Sequence, residues 1–158
     1  MMDQATQLSD MEASSYYPAF TPDGSSFLFS SNRNGPFDLY LLRFGEKQLQ
    51  QLTQNIGNVV SPDYSSDGRR IVFVNQVGDG LPAVWMVNSD GLNPHLVYAG
   101  ADTIVAATWA PNGEQIAYAM SVGVPLEYEI FVMDATGKNH RQVSRDLQGI
   151  GGSIDWVA

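Results

Sequence analysis

Four sets of residues have types and spacings that could carry chemistry. Asp63-Tyr64-Ser65-Ser66-Asp67-Gly68 sets side-chain oxygens at alternate positions ahead of a glycine, the opening of a calcium loop. Counting onward puts Val74 where the bidentate glutamate of such a loop belongs, and the equivalent stretches beginning at Ala19 and Thr108 lack the three oxygens. A hairpin turn is the expected reading, with Asp bonding nearby amides and Gly taking the positive φ. Gly78-Asp79-Gly80-Leu81-Pro82-Ala83 fits the dinucleotide pattern G-x-G-x-x-A, which works only when a helix follows to offer its N-terminal amides to a pyrophosphate. Pro82 and the apolar run Ala83 to Val87 follow instead, so a loop between strands is expected and no cofactor. His95 and His140 are the two histidines, each in a turn, without the third ligand or paired nucleophile that a metal site or triad needs. They are expected as exposed turn residues. Asp63 and Asp155 each precede an aromatic residue, and a paired-carboxylate hydrolase would need a defined separation between them. No G-x-S-x-G elbow occurs.

The elements that must position these residues follow from composition and repetition. The chain has 158 residues, 44% hydrophobic and 16% charged, so it can bury a sizeable core and does not read as disordered. Its net charge of −9 argues against nucleic acid and anionic membrane surfaces as partners, which require clustered positive charge. Cysteine is absent, which removes disulfides and thiolate sites together. No apolar run is long enough for a membrane span, and the N-terminal segment lacks the basic and apolar regions of a secretory signal.

Self-similarity organises the whole chain. Phe20-Thr21-Pro22-Asp23-Gly24, Tyr64-Ser65-Ser66-Asp67-Gly68 and Trp109-Ala110-Pro111-Asn112-Gly113 are spaced 44 and 45 residues apart. Each precedes an apolar run (Phe27 to Ser30, Ile71 to Val74, Ile116 to Ala119), a polar or Gly-containing loop, and a second run (Asp38 to Leu42, Ala83 to Val87, Glu129 to Met133). A turn ending at Gly45, Gly91 or Gly137 and a last short strand complete each unit. Four strands per unit, apolar on both faces and repeating at this period, predict an all-β fold of β-propeller blades, three blades per chain, half of a six-bladed propeller. The expected limits are 17–54, 61–99 and 106–145 for the blades. Residues 5–9 match an outer strand of a preceding blade, and residues 153–157 an inner strand of a following one. In this frame Asp63 and Asp155 face a central channel as solvated acids. Trp85, Trp109 and Trp156 fall within strands and read as packing between blades, which argues against a sugar-binding platform.

These residues resemble the TolB-like propeller repeat, with its aromatic-Ser-Pro-Asp-Gly turn, Ser-x-Arg-x-Gly loop and Leu-Thr ending. The first unit carries the pattern best, in Phe20 to Gly24, Ser31-Asn32-Arg33-Asn34-Gly35, Asp38-Leu39-Tyr40 and Leu52-Thr53. The second has Ser66 for the turn proline and the third Asn112 for the aspartate. The resemblance implies a non-catalytic propeller, acting as a periplasmic binding partner or as an accessory domain beside a hydrolase or kinase-like domain. It also implies a periplasmic or extracellular setting, while the missing signal leaves the cytoplasm open.

Binding, on this reading, uses the end of the propeller where loops enter the inner strands and join the second and third strands. The candidate protein-binding residues there are Arg33, Asn34, Ile56, Asn58, Asp79, Asp102, Ile104 and Ile150. No residue is expected to be catalytic or to hold a metal. Three blades cannot close a ring, and each end blade would expose apolar surface and unpaired strands. The first expectation is a homodimer of two chains forming a six-bladed ring; the alternative is a fragment or accessory module of a longer protein.

Overall fold

The computed structural model describes residues 13–45, 49–123, 127–145 and 153–156. The strands are β1 (Ser15–Phe20), β2 (Ser26–Ser31), β3 (Asp38–Arg43), β4 (Leu49–Gln51), β5 (Asn58–Tyr64), β6 (Arg70–Gln76), β7 (Ala83–Asn88), β8 (His95–Tyr98), β9 (Ile104–Trp109), β10 (Gln115–Ser121), β11 (Tyr128–Asp134) and β12 (Arg141–Gln142). They form three four-stranded antiparallel sheets in sequential order, β1 to β4, β5 to β8 and β9 to β12. This is the all-β, three-blade architecture that the repeat predicts.

The turn joining the first two strands of each sheet is built the same way. Gly24, Gly68 and Gly113 take φ of +67°, +68° and +68°, a conformation open to glycine because it has no Cβ. Asp23 Oδ1 accepts from the Thr21 hydroxyl at 2.7 Å and the Ser25 amide at 3.0 Å. Asp67 and Asn112 accept from the Arg69 and Glu114 amides in the same position, so either Asx side chain suffices. Asp67 therefore caps a turn while Asp63 points elsewhere, and the oxygens of the would-be calcium loop are divided between two tasks.

The inner strands begin at Ser15, Asn58 and Ile104, two or three residues ahead of the blade limits read from the sequence. The register shifts between Tyr16 and Ala19 and between Val60 and Asp63, with Tyr17 at φ +55° and Ser61 at φ +51°. Pro18 and Pro62 follow these two residues and look in sequence like the start of a strand, whereas the ladder continues across a bulge on their N-terminal side. Ser153–Trp156, expected as a further inner strand, lie in no ladder, although Ser153, Ile154 and Asp155 share a hollow with β1, β5 and β9. The expected outer strand at residues 5–9 lies outside the described residues.

Side chains from facing sheets make the core. Leu28, Leu39 and Leu41 of the first sheet meet Ile71, Phe73 and Val87 of the second, with Val59 and Tyr64. Val72, Val74, Val84 and Met86 meet Ile116, Tyr118 and Met133 of the third, with Trp109. At the rim, a Cβ on Gly91 would lie 2.3 Å from the Leu52 carbonyl oxygen and one on Gly137 2.2 Å from that of Val97. The bare backbone of each rim turn thus rests on the outer edge of the preceding blade. A Cβ on Gly45, the first of the series, meets nothing within 4 Å.

Candidate functional site

At the end away from the Asp-Gly turns, the loop entering each inner strand is stitched to the loop between the second and third strands. Asn32 N donates to Ser14 O at 3.3 Å, and Ser14 N to Asn32 Oδ1 at 2.9 Å. Asn75 Nδ2 donates to Ile56 O at 3.0 Å. Asp102 accepts from Gly123 N at 3.1 Å and Thr103 N at 2.7 Å, and Ser121 N donates to Thr103 O at 2.9 Å. Buried Asp38 adds a further brace, accepting from the Thr53 hydroxyl at 2.7 Å and the Asn55 amide at 3.1 Å. These bonds hold the loop end as a rigid surface.

The predicted binding residues fall unequally on that surface. Asn58 and Ile104 come together along a groove of about 280 Å³ with Tyr17, Val60, Gln76 and Pro82. Asn58 is exposed, whereas Ile104 is 0% exposed and packs into the core, so it floors the groove from beneath. Asp79 sits at an exposed tip flanked by Val77 and Leu81, both more than half exposed. Ile56 packs against the core between the first two blades, and Asp102 spends its carboxylate on the loop. Asn34 donates to Gln51 Oε1 at 3.0 Å. Arg33 does not project from the loop: its guanidinium lies 5.0 Å from the Tyr40 ring centre and 5.5 Å from that of Phe29, and its Nε donates to Ser31 Oγ. Ile150 lies outside the described residues.

Tyr17 was not predicted. It reaches both the groove and the hollow on the axis, which is about 260 Å³ and is also lined by Ser61, Asp63, Thr108 and Asp155. A proline directly after an aromatic residue is the one sequence signal that could have marked it. Within the hollow, Asp63 Oδ2 accepts from Thr108 Oγ1 at 2.8 Å and from Trp109 N at 2.7 Å, joining the second inner strand to the third. Burial pushes the Asp63 carboxyl above the ordinary carboxylate range against these two bonds, and the charge of Asp155 adds to the rise. The arrangement is a clasp between blades, with its acceptor already occupied by protein donors.

His140 is likewise engaged rather than idle. The Tyr118 hydroxyl donates to its Nδ1 at 3.0 Å, its Nε2 donates to Gly137 O at 3.0 Å, and its ring lies 4.1 Å from that of Tyr98. The remaining sequence motifs resolve as elements of the scaffold. Gly78 to Pro82 form a loop leading into β7, and among the described residues no group of three or more His, Cys, Asp or Glu is placed to hold a metal ion.

Comparison with known proteins agrees with this architecture. The family model of the TolB beta propeller domain matches residues 2–154. The uncharacterized protein Atu1656 of Agrobacterium fabrum is 31% identical over 104 residues, covering 66% of this chain and 35% of that protein. The Tol-Pal system protein TolB of Anaeromyxobacter sp. strain K is 31% identical over 92 residues, covering 58% of this chain and 21% of that protein. Among solved structures, the putative TolB from Agrobacterium tumefaciens superposes with a TM-score of 0.81 at 27% identity, over 90% of this chain and 54% of that one. A puromycin-hydrolyzing peptidase of Mycobacterium tuberculosis shares the fold at 15% identity, with a TM-score of 0.66. The chain thus spans about a third or less of these two curated relatives and about half of the first of the solved structures. On the match over residues 2–154, the chain belongs to the TolB beta propeller domain family.

Proposed function

We propose that the chain is a non-catalytic propeller scaffold whose loop end binds a protein. The observation that carries this reading is the chemistry of that end. Val77, Leu81 and Val122 are exposed at its loop tips, and its buried carboxylate Asp38 is consumed by bracing. Apolar tips on a rigid frame suit a protein surface better than a sugar or phosphate. The name of the Anaeromyxobacter relatives makes a Tol-Pal component the first partner to assay. Titration calorimetry with such a purified component, wild type against Leu81→Asp and Asn58→Arg, tests the reading. The variants should weaken binding at least about tenfold while circular dichroism is unchanged, because a charge in an apolar contact costs more than 1.4 kcal/mol. Undiminished binding by both variants would refute it.

A second copy of the chain completes the ring in this proposal. The expectation that the first blade exposes its apolar face holds only at Phe20 and Phe44, 66% and 49% exposed, because Phe29, Tyr40 and Leu42 are already buried within this chain, the first two under Arg33. The trailing face of the third blade pairs Ala117 with Val132 and Ala119 with Ile130, and of these Ile130 alone is not buried within the chain. Exposed Phe20 and Phe44 are the aromatic surface a head-to-tail seam would cover, and two such seams close a two-fold ring. The coverage of the relatives favours a second reading, in which blades of a longer chain fill the same place. Light scattering on the 158-residue chain separates them: a dimer mass supports the first, and a folded monomer of 17.3 kDa the second.

A further inference from the structure

Charge is divided unevenly between the two ends of the molecule. The groove at the loop end has Val60, Pro82 and Val105 in its walls, and Tyr17 lines both it and the hollow on the axis, so the two depressions adjoin. Among the described residues, no lysine or arginine lines either one. Carboxylates flank the pair instead. Gln76 and Pro82, both on the groove wall, bracket the loop that carries Asp79. A bond from Gly80 N to Val77 O at 3.1 Å folds that loop into a tight turn, which leaves Asp79 at an exposed tip beside exposed Val77 and Leu81. On the other side, Asp155 is exposed and lines the hollow, next to an Asp63 already taken by Thr108 and Trp109. The described cations lie elsewhere. Arg43, Arg69, Arg70 and Lys138 border the turns of the opposite end, Arg141 and Arg145 lie in or after the outer strand β12, and Arg33 is folded onto Phe29 and Tyr40.

We propose that the segment of a partner protein docked at the loop end is basic, with apolar side chains in the groove and lysine or arginine side chains against Asp79 and Asp155. The proposal rests on the loop-end docking reading above and adds the charge of the occupant. An apolar groove gives a segment burial but little orientation, whereas opposite charges at its two ends fix the register and steer the approach. The exposed ring of Tyr17, shared by the two depressions, offers a face that attracts a cation. An acidic segment would meet two like charges and no compensating cation on these walls.

Titration of the isotope-labelled chain with a short blocked peptide of leucine, lysine and glycine, followed by amide chemical shifts, tests the proposal. Analogues with serine or glutamate in place of lysine are the comparison. The lysine peptide should shift the amides of Asn58, Thr103 and Val105 saturably and bind about fivefold more tightly than the serine analogue at low salt, the advantage fading as salt is raised. Asp79→Asn and Asp155→Asn remove one exposed charge each, and each should weaken the lysine peptide about twofold while leaving the serine analogue unchanged. Asp90→Asn removes the same charge from a turn at the opposite end and should leave all three peptides unchanged. Serine or glutamate analogues that bind as tightly as the lysine peptide would overturn the basic occupant and leave the docking reading standing. An effect of Asp90→Asn equal to those of Asp79→Asn and Asp155→Asn would also overturn it, since net charge alone would then account for the preference. So would the absence of saturable shifts with the lysine peptide, while the docking reading itself is decided by the calorimetric test above.

Discussion

Replacing Asp63 removes the carboxylate that joins the second and third inner strands, and its cost can be worked from the geometry. One oxygen, Oδ2, accepts both the Thr108 hydroxyl at 2.8 Å and the Trp109 amide at 2.7 Å. A hydrogen bond to a charged group contributes about 1.5–3 kcal/mol, but burial already opposes ionisation here and both bonds share one oxygen. Asp63→Ala should therefore lose about 2 kcal/mol near neutral pH, part of it from leaving the Trp109 N–H without an acceptor. Asp63→Asn retains a carbonyl oxygen with two lone pairs and should stay within about 1 kcal/mol of the wild type. The two replacements also separate by pH. Burial, helped by the charge of Asp155, raises the folded-state carboxyl above its unfolded value. Between those values the folded chain binds more protons, so the contribution of Asp63 to stability falls as pH rises through that window and is level above it. Asparagine has no such window, so the comparison should move in its favour as pH rises above the ordinary carboxylate range. Urea unfolding followed by tryptophan fluorescence reads both effects. An alanine variant as stable as the wild type, or an asparagine variant as costly as alanine, would refute the clasp.

Further predictions concern the turns and the rim. Gly91→Ala should destabilise by more than about 3 kcal/mol, since its Cβ would fall 2.3 Å from a backbone oxygen at φ +86°. At Gly45, where φ is +88° and the space is open, the same change should cost only the left-handed penalty of about 1–2 kcal/mol; thermal unfolding of the pair distinguishes contact from conformation. Asp134 is held down to about 2 by the Thr136 hydroxyl and the Lys138 amide, against an ordinary 3.8. Its contribution is present above the ordinary value and is lost as pH falls toward the folded one, so Asp134→Asn should flatten the acid limb of a thermal-midpoint profile between those pH values. Tyr118→Phe removes the bond to His140 and should cost about 1 kcal/mol by chemical denaturation, with the ring still packed against Phe131.

Local chemistry was legible where one residue type has one use. Asp23-Gly24, Asp67-Gly68 and Asn112-Gly113 announce their turns, and the apolar runs after them announce strands covered on both faces. The bulges at Tyr17 and Ser61 were not legible, because a proline beside a strand reads as its boundary whether or not the ladder continues beyond it. Long-range partners were also hidden. Nothing near Asp63 in sequence signals a bond to residues 45 and 46 positions away, nor does the turn around His140 reveal a tyrosine from the strand two back. The expected loop residues follow from position alone. Position cannot say that Arg33 folds onto Tyr40 or that Ile104 points inward.

The close approach of Gly91 to Leu52 and of Gly137 to Val97 bears on the curvature of the whole assembly. Where two backbones touch without side chains between them, the spacing at the rim cannot be tuned by residue size. The space between neighbouring blades inside that rim, filled by side chains such as Phe73 and Trp109, can be tuned. The wedge angle between neighbouring blades is then the ratio of a fixed outer spacing to an adjustable inner one. Changes in the volume of this packing would open or tighten the arc, and with it the number of blades that closes a circle, while the rim acts as the hinge line about which the angle is set.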